Sequence, residues 1–511
     1  MVSLFPPILD PSQAFSCLQK FSQSYAALPL QNPLNPFAAA RKDPQPTFES
    51  YAEWIDWAHQ HDEKSGLAAW KENERSDLYD HRIIRHRYDE LVEARASQDP
   101  DKLIYYLNEG LHGNMGGMGN PALYGKARSG TKHLINDYIN EIVAALDDFE
   151  NLADDTISRP EKLAYFQRAA GCFGRSALMF SGAGSLGAFH IGVAKALAEQ
   201  DLIPKVVSGA SAGSMIAAII GTHQPSSIAP FITQSESLAQ HLSTPPESAS
   251  SGASARGANF DQNQVMELIE TIIPDMTFLE AFDETGIAIN VSIAPSRLHQ
   301  RSRLLNAITS PNAMIREAVL ASCAVPGVFP PVTLAAKDET GRRQPYVPTR
   351  QWVDGSITDD LPARRLARLY SVNHFITSQT NPMVFWLLPN QMPENDLTAR
   401  WMSIFQAGLR DWMRAVYPFV MDQVRGIYPL NMQVRMMFGL VTQAYTADIN
   451  ILPQNRSFDP TRLLAPLTEE ETSALIKEGE RATWPKIEMI RNCTKVSRRI
   501  DEALDRLQGA L

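Results

Sequence analysis

From Ser176 to Gly221 the chain alternates short apolar runs with glycine turns, and few backbones satisfy that alternation. Ala177-Leu178-Met179-Phe180 has strand length. Gly182, Gly184 and Gly187 follow it directly, where a chain passing from strand to helix needs positive φ and room for close approach. Phe189, Val193 and Leu197 then repeat at helical spacing, and Val206-Val207 opens a second strand. Gly209-Ala210-Ser211-Ala212-Gly213 is a G-x-S-x-G elbow leading into an apolar helix around Met215, Ile216, Ile219 and Ile220. Gly182 and Ser211 lie 29 residues apart, the length of one strand–helix–strand unit, so the glycine turn and the serine should arrive side by side at the carboxyl edge of adjacent parallel strands. The pattern predicts an α/β fold, a mostly parallel sheet flanked by helices.

Turn amides facing a serine hydroxyl make an oxyanion hole beside a nucleophile. Ser211 is the candidate nucleophile and Gly209 and Gly213 its elbow glycines, with Gly182, Ala183, Gly184, Ser185 and Gly187 as the candidate oxyanion hole. Read instead as a dinucleotide fingerprint, the same glycines require an acid at the end of the second strand. That strand ends in Ser208-Gly209-Ala210-Ser211, and Asp201 precedes it. A serine hydroxyl also needs a base within hydrogen-bond reach. Asp354, on a turn with Gly355 and Ser356 after a strand expected at Tyr346 to Val353, fits in two ways. It takes the proton directly, or it orients His374, on the strand Val372 to Ser378, in the chain order serine, acid, histidine.

The 511 residues, 44% apolar and 20% charged, suffice for a sizeable core and several structural units. A formal charge of −10 argues against nucleic acid partners and against wholesale adhesion to anionic membranes. Four scattered cysteines and 11 histidines show no metal spacing, so neither a metal nor an organic cofactor is expected. The first residues lack a basic region and are broken by Pro6 and Pro7, and no run is long enough to span a bilayer. The expectation is an intracellular, cytoplasmic protein without signal peptide or transmembrane span, whose contact with a membrane is at most peripheral and local.

Residues 1–46, rich in Pro, Ser, Gln and Asn, read as an irregular arm. Residues 47–175 read as a helical domain with anchors Trp54, Trp57 and Trp70 and helices at His81 to Ala96, Asp101 to Leu111 and His133 to Phe149. Its one interruption, Leu111 to Tyr124, carries four glycines and is read as a packed joint, with anion binding as the alternative. Residues 176–385 form the α/β core, and the low-complexity stretch 242–257 within it is expected to be mobile. Glu317 to Val332, a helix running into a proline-punctuated loop, is read as pocket lining or core packing. Residues 386–511 read as helical. There Trp401, Phe405, Leu409, Trp412, Val416 and Val420 make a stripe that fits either a helix on the core or a lipid-surface contact.

Ser181 to Gly187, Gly209 to Gly213, Ala324 to Pro331 and Trp352 to Pro362 together resemble, in order and spacing, the patatin-like lipid acyl hydrolases over residues 176–385. Trp54, Asp62, Trp70, the Asn114-to-Tyr124 loop and Gly130-Thr131-Lys132 are similar to the helical extension of the triacylglycerol-lipase branch. The resemblance implies a Ser-Asp dyad without catalytic histidine: Ser211 the nucleophile, Asp354 the base, and the Gly182 to Gly187 amides the oxyanion hole. It implies cleavage of long-chain acyl esters, triacylglycerol or glycerophospholipid, through an acyl-enzyme at a membrane or lipid-droplet surface. Lipid transacylation by the same dyad and a non-catalytic lipid-surface scaffold are the alternatives. Ala183 and Ser356 depart from the family's commoner glycines and resemble that same branch.

Overall fold

The structure is a computed structural model that describes residues 46–233, 262–296, 302–326, 328–380, 447–454 and 467–509, with isolated positions between 412 and 422. Its sheet is built outward from β1 (Arg175–Phe180), whose last five residues are all buried. β1 pairs in parallel with β2 (Val206–Gly209) on one side and β8 (Val372–Ser378) on the other. β2 pairs in parallel with β3 (Ala288–Pro295), and β8 with β9 (Ile449–Ile451). β3 is buried along all eight residues, as a strand covered on both faces must be. On one edge it pairs antiparallel with β4 (Arg303–Leu305). Its far end also pairs antiparallel with β7 (Trp352–Asp354). A separate hairpin joins β5 (Ala335–Lys337) to β6 (Arg343–Pro345). The expected mostly parallel sheet flanked by helices is the sheet observed.

Two sequence expectations need adjusting. The strand placed at Tyr346 to Val353 is only the three residues of β7. Val347 and Arg350 instead close a turn through a 3.0 Å backbone hydrogen bond, and Pro348 between them has no N–H to give a ladder. The sheet also takes in β9, beyond the core boundary drawn at residue 385; three residues are too few to show a period of two. The arm at 1–45, the 242–257 stretch and Trp401, Phe405 and Leu409 lie outside the described residues. Trp412 and Phe419, both helical, are 60% and 75% exposed.

Helices Tyr51–Lys64, Leu67–Glu72, His81–Ser97, Pro100–Gly110, Pro121–Lys126, His133–Glu150 and Arg159–Phe173 precede the sheet. The chain closes with Glu469–Thr483 and Ile487–Gly509. The first of these lies against the crossover helix Gly187–Ala198 so closely that a Cβ on Gly192 would meet the Ile476 carbonyl at 1.8 Å. The second packs on His133–Glu150 and Arg159–Phe173, where Arg499 pairs with Asp147 and Glu150. Arg175 of β1 reaches the same helix at Asp501, 2.8 Å away. Residues Ser50 to Leu511 accordingly form one compact unit.

The motif residues of the helical segment form a buried polar lock. Asp62, 1% exposed, accepts the Arg128 and Ser129 amides at 2.9 Å each and the Ser129 hydroxyl at 2.6 Å, with the Lys71 ammonium at 3.6 Å. Burial alone would raise its carboxyl, but these partners hold it below the usual range. Lys132, fully buried, donates to the Trp70 and Asn73 carbonyls at 2.6 Å and lies 4.0 Å from the centre of the Trp70 ring. In the four-glycine loop, Asn114 Oδ1 accepts the Gly119 amide, Asn120 Nδ2 donates to the Leu78 carbonyl, and the Gly116 carbonyl accepts the Asp80 amide. The loop is a packed joint.

Asp62→Ala leaves two amides and the Ser129 hydroxyl without their acceptor and removes the carboxylate beside the Lys71 ammonium, which keeps its bonds to Ser129, so a loss of about 3 kcal/mol is expected in urea unfolding at pH 7. A group whose folded pKa is depressed gives stability above its unfolded value and loses it as pH falls. The gap between variant and wild type should therefore narrow below about pH 4.

Candidate active site

β1 and β2 end level, Phe180 opposite Gly209, and the chain leaves both at the same edge of the sheet. Ser211 follows with φ 52 and ψ −131, a strained conformation for any residue with a side chain. Several bonds hold it there. Its N–H donates to Ser322 Oγ at 2.9 Å, and its carbonyl accepts the Ser214 amide at 2.8 Å and hydroxyl at 2.6 Å. The elbow glycines are required by backbone approach. A Cβ on Gly213 would come 2.5 Å from the Phe180 carbonyl, and one on Gly209 would come 2.2 Å from the Gly213 carbonyl.

Asp354 reaches the same place from another strand. Gly209 pairs with Val291 and Asp354 with Ile293, two residues further along β3, while Arg303 of β4 takes the other side of Ile293. Asp354 is 2% exposed, its N–H donates to the Ala324 carbonyl at 2.9 Å, and its Oδ1 accepts the Ser356 amide at 2.8 Å. Burial pushes its carboxyl up to about 6, and hydrogen bonds from Ser356 and from the Ser211 hydroxyl oppose that rise. The Ser211 hydroxyl thus faces Asp354, with no histidine between them.

His374 is elsewhere. It pairs with Ser176 near the start of β1, four residues back from the Phe180–Ser378 rung, or roughly 13 Å along the strands. Its Nδ1 meets Ser176 Oγ at 2.9 Å. The fully buried His190 lies much closer to the glycine turn. Its Nε2 donates to the Ser181 carbonyl at 3.0 Å and its Nδ1 accepts from Ser378 Oγ at 2.7 Å, so both nitrogens are engaged. Burial pushes its pKa down to about 4 against the Ser181 bond, leaving a neutral ring that ties the end of β8 to the start of the turn.

In the turn itself the Gly182 N–H donates to Asp360 Oδ1 at 2.6 Å, and a Cβ on Gly182 would lie 2.7 Å from that of Ser356. The Gly187 N–H bonds to the Gly184 carbonyl. Ala183 and Gly184, the latter at φ 52, lie between these two anchored amides, with Ser185 in the following helical turn. Three contributors escaped the sequence reading: His190, Ser322 and Asp360. Their only signal is position, a polar residue inside an apolar helix or turn next to a motif, and the partners named here lie up to 188 residues away. Among the described residues no group of three or more His, Cys, Asp or Glu is placed to hold a metal ion.

Residues 178–367 match the family model described as patatin-like phospholipase, and residues 41–170 match a domain of unknown function (DUF3336). Triacylglycerol lipase 4 of Saccharomyces cerevisiae is 31% identical over 482 residues, 90% of this chain and 52% of its own length. Triacylglycerol lipase ptl3 of Schizosaccharomyces pombe is 30% identical over 478 residues, 90% of this chain and 95% of its own. Triacylglycerol lipase SDP1L of Arabidopsis thaliana is 30% identical over 469 residues, 89% and 57%. The chain thus spans about half the length of the first and nearly all of the second.

A buried carboxylate with a raised folded pKa favours the folded state at low pH and loses that advantage as pH rises through about 6. Asp354→Asn removes the charge. Measured by urea unfolding, its stability relative to wild type should rise by about 2 kcal/mol between pH 4 and pH 7.5.

Proposed function

Because this chain belongs to the patatin-like phospholipase family, and because its Ser211 hydroxyl faces a buried Asp354, we propose that it is a serine lipid acyl hydrolase working through a Ser-Asp dyad. The convergence of the strained serine turn and the buried acid on one side of β3 carries the reading. A carboxylate near 6 is a stronger base than one at the ordinary value, and it is ionised at neutral pH. Asp354 takes the Ser211 proton as Oγ attacks the ester carbonyl, and returns it to the departing alcohol as the tetrahedral adduct collapses to an acyl-enzyme. Water then attacks, with Asp354 again the base and Ser211 the leaving group. The Ala183 and Gly184 amides are the proposed oxyanion donors, the turn being braced by the Gly182–Asp360 and Gly187–Gly184 bonds.

Long-chain acyl esters, triacylglycerol foremost, are the proposed substrates. The support is that several curated relatives are named triacylglycerol lipases. Such substrates are insoluble, so the enzyme must meet them at a surface. No helix among the described residues is long and apolar enough to cross a membrane. Exposed Trp412 and Phe419 are the proposed contact with a membrane or droplet, because an aromatic side chain suits an apolar–water boundary.

A fluorophosphonate probe should label Ser211 in the wild type, and Ser211→Ala should lose ester hydrolysis. Asp354→Asn should lower turnover by about 10³-fold, whereas His374→Ala keeps most activity; equal damage from both in folded protein would require a triad. The pH profile of kcat/KM should be flat above an acid limb near 6 and fall about tenfold per unit below it. Trp412→Ala with Phe419→Ala should weaken sedimentation with triacylglycerol emulsions yet spare a short, soluble ester. Parallel loss on both substrates would place these aromatics in the protein's packing.

A further inference from the structure

The helix Ile315–Cys323 ends beneath both reactive turns, and its last residues touch each of them. Ser322 Oγ accepts the Ser211 N–H at 2.9 Å and donates to the Ser292 carbonyl of β3 at 2.8 Å. Two residues on, the Ala324 carbonyl accepts the Asp354 N–H at 2.9 Å. The Ser292 carbonyl also lies directly under the acid's turn, since a Cβ on Gly355 would come within 2.1 Å of it.

Ser322 therefore stands between the nucleophile's amide and the floor of the acid's turn. It is fully buried, with no water to replace it. A hydroxyl suits the place because it accepts on one side and donates on the other, and an alanine would leave both main-chain groups unpaired. Ser211 is in a strained conformation that persists only where its surroundings over-determine it, and its amide is held by this one side chain.

We infer that Ser322–Ala324 is the spacer fixing the separation of the Ser211 hydroxyl from the Asp354 carboxylate, with Ser322 a positioning residue that acts through the Ser211 amide. The inference rests on the dyad reading above. Ser322 touches no reacting atom; it sets the angle at which Ser211 presents its hydroxyl to the base.

The test is steady-state hydrolysis of a short, soluble ester by the full chain, with turnover expressed per site titrated by the fluorophosphonate. In Ser322→Ala, kcat per titrated site should fall about a hundredfold while KM stays within about twofold. Ser322→Cys keeps a donor and acceptor but lengthens both bonds, and should fall about tenfold. Wild-type kcat per titrated site in either variant overturns the inference, whatever its melting temperature. If Ser322→Ala does not fold, the cysteine variant decides. A wild type that neither labels at Ser211 nor hydrolyses the ester overturns the dyad reading and this inference together. An active, labelled wild type with unimpaired variants overturns the inference alone.

Discussion

The Ser211 hydroxyl and the Asp354 carboxylate face each other where water scarcely reaches, and that location dictates much of what surrounds them. A carboxylate out of water is costly unless donors replace its hydration. Here the Ser356 amide does so, the Ser356 and Ser211 hydroxyls add to it, and among the described residues no salt-bridged cation holds the carboxyl too acidic for the proposed base. The serine's side has its own cost, a strained backbone, met by bonds to its amide and its carbonyl. Donors enough to hold the acid, too few to quench it, and a turn that cannot relax make one arrangement.

Those parts of the site that obey local rules were legible in the chain. An elbow needs small residues next to its serine, and a tight strand-to-helix turn needs glycine, so Gly209 to Gly213 and Gly182 to Gly187 announce themselves within a few residues. The choice of the proposed base was not local. Asp354 and His374 both follow Ser211 in the order a triad requires, and only strand register sets them apart, β7 bringing one to the serine and β8 pairing the other with Ser176. His190, Ser322 and Asp360 were illegible for the same reason: each acts on a partner that the sheet brings from elsewhere in the chain. β9 was missed because three residues carry no period.

The helical segment before the sheet shows a different use of polar residues. Asp62, Lys71, Ser129 and Lys132 are buried, yet each has its hydrogen bonds met. Charges satisfied in this way define one packing of helices and loops, because any other leaves an ammonium or a carboxylate alone. Arg499 and Arg506 of the last helix extend the principle to the chain's other end, sharing Glu150. Residues that look chemical in the sequence are, in this segment, architectural.

Asp354 and Gly209 pair with β3 only two residues apart, at Ile293 and Val291, although they lie 145 positions apart in the sequence. The separation of the proposed nucleophile and acid is thus set by the backbone repeat of one buried strand and by the Ser322–Ala324 contacts, not by the length of chain between them. Stretches of that path that touch neither turn, such as the exposed Glu339–Gly341 tip of the β5–β6 hairpin, can be lengthened or trimmed without moving either group. Even cutting the chain there and rejoining its ends elsewhere would leave the two turns facing each other, so the site belongs to the sheet's geometry more than to the order in which the polypeptide visits it.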